Sequence, residues 1–377
     1  MRATLADAGL ARYAGRFVWL ELDFDKPENQ EFLARHGVTY TPSLFVLDPA
    51  DERATATQLG GLTLSELTAF LERGERGVIG RAKTPADAAL ARGDEMLARG
   101  QNVEAVEAYR AALRSGGPIW PERDRALGLF TWALWSSKQP QACAETAAAE
   151  APKMKRGESF SRLVLSGVGC VNQAESAPWA EAARKTLEPL AAEAIALPAT
   201  LRDHRFQLYQ QLMYDAAIHD DKATVAHWGD LWLNELDATK PANDDERSAL
   251  DVARVDVAGL LGDPSRVLPA LRASERAMPD NYSASLRLAQ AESDAKRYDE
   301  AVAACDRGLK HVTGPLARAW LLSIKADALI QKGESAEARS VLEEALRSAQ
   351  QIGVKASRDR NVAAISKALK QTQQASK

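Results

Sequence analysis

The sequence predicts an α+β multidomain protein: a partial α/β unit over residues 1–80, an all-α solenoid over 84–350, and a capping helix with a basic tail over 351–377. Three observations carry this. Strand-like apolar runs are confined to the first 80 residues. After residue 84, small residues recur at paired helical positions about every 37–39 residues, a spacing suited to stacked helical repeats. Prolines and a Gly-Asp-Pro turn fall at the junctions between helical stretches. A chain of 377 residues also exceeds one ordinary core.

In the first unit a helix over Ala3–Tyr13 precedes Phe17-Val18-Trp19-Leu20-Glu21-Leu22-Asp23-Phe24. The β-rich composition of that run, and its alternation of apolar and acidic residues, predict a strand. Pro27-Glu28-Asn29 ends it, and Gln30 to His36 reads as a short helix closed by Gly37. Ser43-Leu44-Phe45-Val46-Leu47 is an unbroken apolar run suited to a strand buried on both faces. Asp48-Pro49-Ala50-Asp51 is a turn, and Thr55 to Leu59 a weaker strand. Thr63 then caps a helix with Leu67, Phe70 and Leu71 on one face and Glu66 as the capping-box partner.

Three pieces of this unit belong together: Leu20 to Asn29; Phe32 to Asp48, with Gly37-Val38-Thr39-Tyr40-Thr41-Pro42 leading into the apolar strand; and Gly60 with Leu67 to Leu71. Over roughly residues 3–76 they resemble the second half of a thioredoxin-fold domain of the thiol-reductase branch. The resemblance implies that Thr41-Pro42 is the family's cis-proline junction, a substrate-binding turn that leaves the residue before proline free to pair with an extended peptide. It also implies a Cys-x-x-Cys strand just before Ala3. Residues 1–142 contain no cysteine, so thiol–disulfide exchange is missing as written. Two explanations stand. Met1 is internal to a longer natural chain with Cys-x-x-Cys and an export signal upstream, or the unit is a degenerate cap. A fold cut in mid-helix favours the first.

From Thr84-Pro85-Ala86-Asp87, a helix start, the chain resembles tetratricopeptide repeats. One repeat carries Ala89, Gly93 and Met96, then Ala105, Tyr109 and Ala112. A second carries Leu288, Ala289, Ala301, Cys305 and Gly308, and a third Leu322, Ala326, Leu329, Ala338, Leu342 and Ala345. Gly93, Ala289 and Ala326 share one small position, and Ala105, Ala301 and Ala338 another; both let paired helices approach closely. Four further pairs are expected at 121–137 with 139–150, 156–172 with 178–196, 200–218 with 221–237, and 244–261 with 264–277. A closing helix over Ala356 to Gln371 follows, with Ile352, Val362, Ile365 and Leu369 inward. Its surplus of basic residues reads as a solvated cap, with a docking tail as the alternative.

Little else suggests chemistry. No cofactor is implied, because glycine-rich phosphate loops, HExxH and serine-elbow motifs are all missing. His219, Asp220, Asp221 and His227 cluster at a helix–helix turn, where polar residues belong in any case. Trp120, Trp132, Trp135, Trp228 and Trp232 have seam spacing; any exposed in a groove would instead mark a partner site. Cys143, Cys170 and Cys305 read as three small core residues, with a long-range disulfide between two of them left open. The net charge of −4 argues against a nucleic-acid binder, and no apolar run reaches membrane-span length. As written, with no export signal visible, the chain reads as cytoplasmic, or periplasmic if a leader precedes it. The expected function is a redox-inactive, thioredoxin-family protein-interaction scaffold that holds protein partners or client peptides. The alternative is a thiol–disulfide oxidoreductase whose Cys-x-x-Cys lies upstream.

Overall fold

The computed structural model describes residues 2–5, 7–23, 26–36, 38, 42–59, 62, 64–79, 84–174, 177–353 and 355–375. The described residues are 75% helical, and the chain divides into two compact units, residues 1–215 and 216–377.

The first unit opens with α1 (Arg2–Leu5) and a 3-10 helix over Ala8–Tyr13. Then come α2 (Gln30–Arg35), β1 (Ser43–Leu47), β2 (Ala54–Leu59) and α3 (Leu64–Ile79). The strands pair antiparallel, with Phe45 opposite Thr57. Helix α3 lies directly on this ribbon: a Cβ on Gly74 would stand 2.4 Å from Val46, and the Thr55 hydroxyl donates to the Gly74 carbonyl at 2.9 Å. Leu10, Tyr13, Val46, Ala56, Leu67, Phe70 and Leu71 make the small core. Thr63 and the Glu66 side chain, the expected capping pair, lie outside the described residues.

This corrects the expected fold class. In place of a partial thioredoxin-like α/β domain the described residues form a two-stranded ribbon packed against helices. The strand expected over 17–24 does not form: residues 17–23 are neither helix nor strand, and Val18 and Leu20 are 88% and 76% exposed. Alternation is not sufficient for a strand, whose N–H and C=O groups need a neighbour. Among the described residues, the only strands pair with each other. Nor is β1 buried on both faces. Val46 is its one buried residue; α3 packs on both strands, while the helix over Pro85–Ala98 packs on β2, where Ala56, Thr57 and Gln58 are all buried.

The remainder of this unit is helical: α4 (Pro85–Ala98), α5 (Asn102–Gly116), α6 (Arg123–Ser136), α7 (Pro140–Glu150), α8 (Glu158–Asn172), α9 (Pro178–Ala196) and most of α10 (Arg202–Ile218). Thr84 caps α4 by accepting from the Asp87 N–H at 3.1 Å. Gly93 sets the first seam, since a Cβ there would meet the Tyr109 ring at 2.5 Å. Gly169 receives Trp135 in the same way, at 2.4 Å. The cysteines depart from expectation. Cys143 and Cys170, both fully buried, form a disulfide between α7 and α8 with Cα atoms 6.2 Å apart, and only Cys305 is a free core thiol. A sequence separation of 27 gives no hint of the pairing; the stacking of one hairpin on the next creates it.

The second unit continues with α11 (Lys222–Ala238), α12 (Asp244–Leu261), α13 (Leu268–Ala277), α14 (Tyr282–Asp294), α15 (Tyr298–Leu309), α16 (Pro315–Gln331), α17 (Ser335–Gln350) and α18 (Lys355–Ala375). Ala289, Ala301, Ala326 and Ala338 are fully buried, as their seam positions require. Helix α18 closes the array by adding Ile365 to a cluster with Leu322, Leu342 and Ile352.

One backbone solution recurs at six hairpin turns. Gly100, Lys138, Asp220, Gly262, Lys296 and Gly333 all have positive φ, between 54° and 84°. In each turn the next N–H donates to the carbonyl five residues earlier, from Gln101 to Met96 through Glu334 to Leu329, at 2.8–3.2 Å. This Schellman closure satisfies the last carbonyls of one helix while reversing the chain into the next. It recurs even where the small seam residues are lacking, so the helices are organised as tandem helical hairpins.

Candidate functional site

The residues singled out from the sequence do not converge on a site. Pro42 is exposed, and Thr41, with the proposed cis junction, lies outside the described residues. Asp221 is committed to capping α11, accepting from the Thr224 N–H at 3.0 Å and its hydroxyl at 2.7 Å. Asp220 occupies the left-handed turn position, and His227 packs edge-on against Trp228 at 4.9 Å. Among the described residues no three His, Cys, Asp or Glu side chains are grouped to hold a metal ion. The tryptophans mostly serve packing. Trp120 is buried and donates to Asp87 at 3.0 Å, Trp132 and Trp135 meet edge to face at 5.3 Å, and Trp232 is 2% exposed.

A different group of residues comes together in the first unit. Gln58, Leu62, Phe70 and Arg73, from β2, the following loop and α3, with Arg125 from α6 and Glu158, Ser159 and Arg162 from α8, line a half-open pocket of about 190 Å³. Arg125 donates to Asp94 of α4 at 2.5 Å, and the Tyr109 hydroxyl donates to the other Asp94 oxygen at 3.0 Å, so one carboxylate ties three helices. Burial is the larger cause, and Asp94 the next, that pushes the Tyr109 hydroxyl well above its ordinary range. Arg162 pairs with Glu158 through Nε at 2.9 Å and also through Nη2.

The electrostatics follow from these pairs. Burial by itself would raise the Glu158 carboxyl, but Arg162, His204 and Arg125 outweigh it and hold it below the usual range. His204, beside the same pair, is pushed down to about 4, first by burial and then by the Arg162 charge. The cavity therefore presents three guanidinium groups, one carboxylate kept ionised, and a neighbouring imidazole kept neutral. Sequence reasoning passed over all of them. The available signal was Arg162, a charge inside the apolar run Phe160-Ser161-Arg162-Leu163-Val164-Leu165, where a buried cation demands a partner.

No family model matches this chain, and no curated protein does either. Among solved structures, a tetratricopeptide repeat protein from Parabacteroides merdae ATCC 43184 is similar at 14% identity, over 77% of this chain and 99% of that one, with a TM-score of 0.41. The TPR2AB domain of yeast Sti1, solved in complex with pHSP90, is similar at 15% identity over 74% and 98%, with a TM-score of 0.28. Likeness at this level carries nothing about function, and the repeat architecture stands on the hairpin geometry itself.

Proposed function

We propose that this chain is a protein-interaction scaffold whose helical hairpins present a surface to protein partners. The tandem hairpins support this most directly: within each unit, hairpins joined by one turn geometry set helix faces side by side, an architecture suited to gripping another chain. In this reading residues 84–350 are the array and 351–377 its closing cap. The buried Cys143–Cys170 disulfide supports an oxidising, extracytoplasmic compartment. The redox activity implied by the thioredoxin resemblance is not part of the proposal, since among the described residues the only sheet is the β1–β2 ribbon.

Photo-crosslinking tests the scaffold reading. A photoreactive residue is placed in turn at exposed helix positions such as Trp320 and Tyr214 in cells of the native source. The expected result is one recurrent protein adduct, reproduced with the purified partner as saturable micromolar or tighter binding. Adducts at no position, or adducts that persist with the heat-unfolded chain, would sink the proposal.

A further inference from the structure

We infer that the second unit docks an arginine-bearing segment of a protein partner on the face shared by α12, α14 and α16, where Asp256 and Asp327 receive its guanidinium groups. This rests on the scaffold reading and names the chemistry of the partner. The turns set a common register. Asp94, Asp256 and Asp327 each stand six residues before the left-handed glycine of their turn, Gly100, Gly262 and Gly333. They are therefore equivalent carboxylates on the first helices of three hairpins, α4, α12 and α16.

Asp94 shows what this position takes. It accepts from Arg125, on the next hairpin, at 2.5 Å and from the Tyr109 hydroxyl, on its own second helix, at 3.0 Å. Tyr109 follows Gly100 by nine residues. The same count gives Leu271 after Gly262 and Leu342 after Gly333, neither with a side-chain donor. Arg125 precedes Lys138 by thirteen residues, and the same count before Lys296 gives Ser283, on the helix packed beside α12. Asp256 and Asp327 are both exposed. Burial by packed neighbours still raises each carboxyl above its usual range. Among the described residues Arg287 alone works against that rise at Asp256, and no charge works against it at Asp327. Two carboxylates placed like Asp94 thus face solvent without the guanidinium that Asp94 has.

The surroundings narrow the partner. Val252 lies one helical turn before Asp256 and Trp320 two turns before Asp327, each on the same stripe as its carboxylate. They are 36% and 43% exposed, and Trp320 is steadied by its Nε1, which donates to Asn361 at 3.2 Å. Between them α14 adds Asp294, which accepts from Gln290 at 3.0 Å. The face therefore sets three carboxylates and two exposed apolar side chains against Arg287. Arginine complements both features, with a planar fork that matches a carboxylate and a stem that covers apolar surface. Helices α12, α14 and α16 pack in sequence. At about 8–10 Å per helix step, the two open carboxylates are about 16–20 Å apart, the reach of about five extended residues.

The test uses the whole chain and a fluorescein-labelled peptide with two arginines about five residues apart and leucines between them, read by anisotropy at fixed ionic strength. The arginine peptide should bind saturably, and glutamine in place of both arginines should weaken it by about tenfold or more. Asp327→Asn should weaken the arginine peptide by about fivefold or more with Tm unchanged. Ser283→Arg, which offers Asp256 a guanidinium from within the chain, should weaken it as well. Asp280→Asn, an exposed acid beside His311, should leave it unchanged. In the unmodified chain the bound peptide should also shield Asp327 from carbodiimide coupling, mapped by peptide mass, which keeps the test valid if a variant folds poorly. Equal binding of the two peptides, no binding of the arginine peptide, or an Asp327→Asn affinity equal to that of Asp280→Asn with Asp327 unshielded would overturn the inference. A partner crosslinked at Trp320 alongside any of those results would leave the scaffold reading standing and remove its arginine chemistry alone.

Discussion

His204 ties the acid sensitivity of the chain to one side chain. Its imidazole is held down to about 4, whereas in an unfolded chain it titrates near 6.5. Between those values the unfolded state takes up a proton that the folded state refuses. The contribution is therefore complete above about pH 6.5 and is lost as pH falls toward 4, at full extent on the order of 3 kcal/mol. Tm should fall more steeply from pH 7 to pH 5 in the native sequence than in His204→Gln; parallel profiles would assign the acid loss to other groups. Cys305 makes the opposite case of a silent group. Burial, with Asp306 next, pushes its thiol up to about 12, so it is inert in the folded chain. Alkylation should label no cysteine in the native chain, Cys305 alone after unreduced unfolding, and all three after reduction. Labelling of Cys143 or Cys170 without reductant would contradict the disulfide.

The hairpins were legible from the sequence because two local rules govern them. Breakers at Pro140, Pro152, Pro178, Pro198, Pro241 and Gly262-Asp263-Pro264 sufficed to place the ends of α6 to α13, and small residues the seams of α4 with α5, α14 with α15 and α16 with α17, since both signals lie within a few residues of the feature they cause. The seam predicts its own sensitivity. Gly93→Ala gains helix propensity but drives a methyl group into the Tyr109 ring at 2.5 Å. That ring is fully buried and held by Asp94, so a net loss of about 1–3 kcal/mol in denaturant unfolding is expected. The turns predict the reverse sign. Lys138 and Lys296 occupy left-handed positions, φ 57° and 59°, which glycine fills elsewhere in the array. Lys296→Gly should therefore stabilise by up to about 1 kcal/mol, by removing the strain of a side chain in that conformation. Loss of stability on that substitution would mean that the lysine side chain matters more than the backbone. What the sequence did not disclose was the charge network, because Asp94, Arg125, Glu158 and His204 lie on four different helices and meet only through stacking.

At the scale of the molecule, the misreading of residues 17–24 has a physical origin. A strand is a property of at least two segments, and the run Val18-Trp19-Leu20-Glu21-Leu22 carries the alternation of a strand without any neighbour among the described residues to complete it. Helices satisfy their own backbone, which is why the helical part could be read one element at a time and the sheet could not. The array also governs how the chain comes apart. Hairpins that touch chiefly their neighbours unfold in stages, so calorimetric enthalpy should exceed the van't Hoff value. Reduction of Cys143–Cys170 should destabilise the first unit by about 3–4 kcal/mol, from the loop it closes; a melt unaffected by reductant would leave the bridge without a stabilising role. The same bridge has a mechanical meaning. It short-circuits a sequence separation of 27 residues. Fully stretched between its two ends, an oxidised chain would thus be about 90 Å shorter than a reduced one at 3.3–3.6 Å per residue. In an optical trap that missing length becomes a ruler, reading the oxidation state of the protein one molecule at a time.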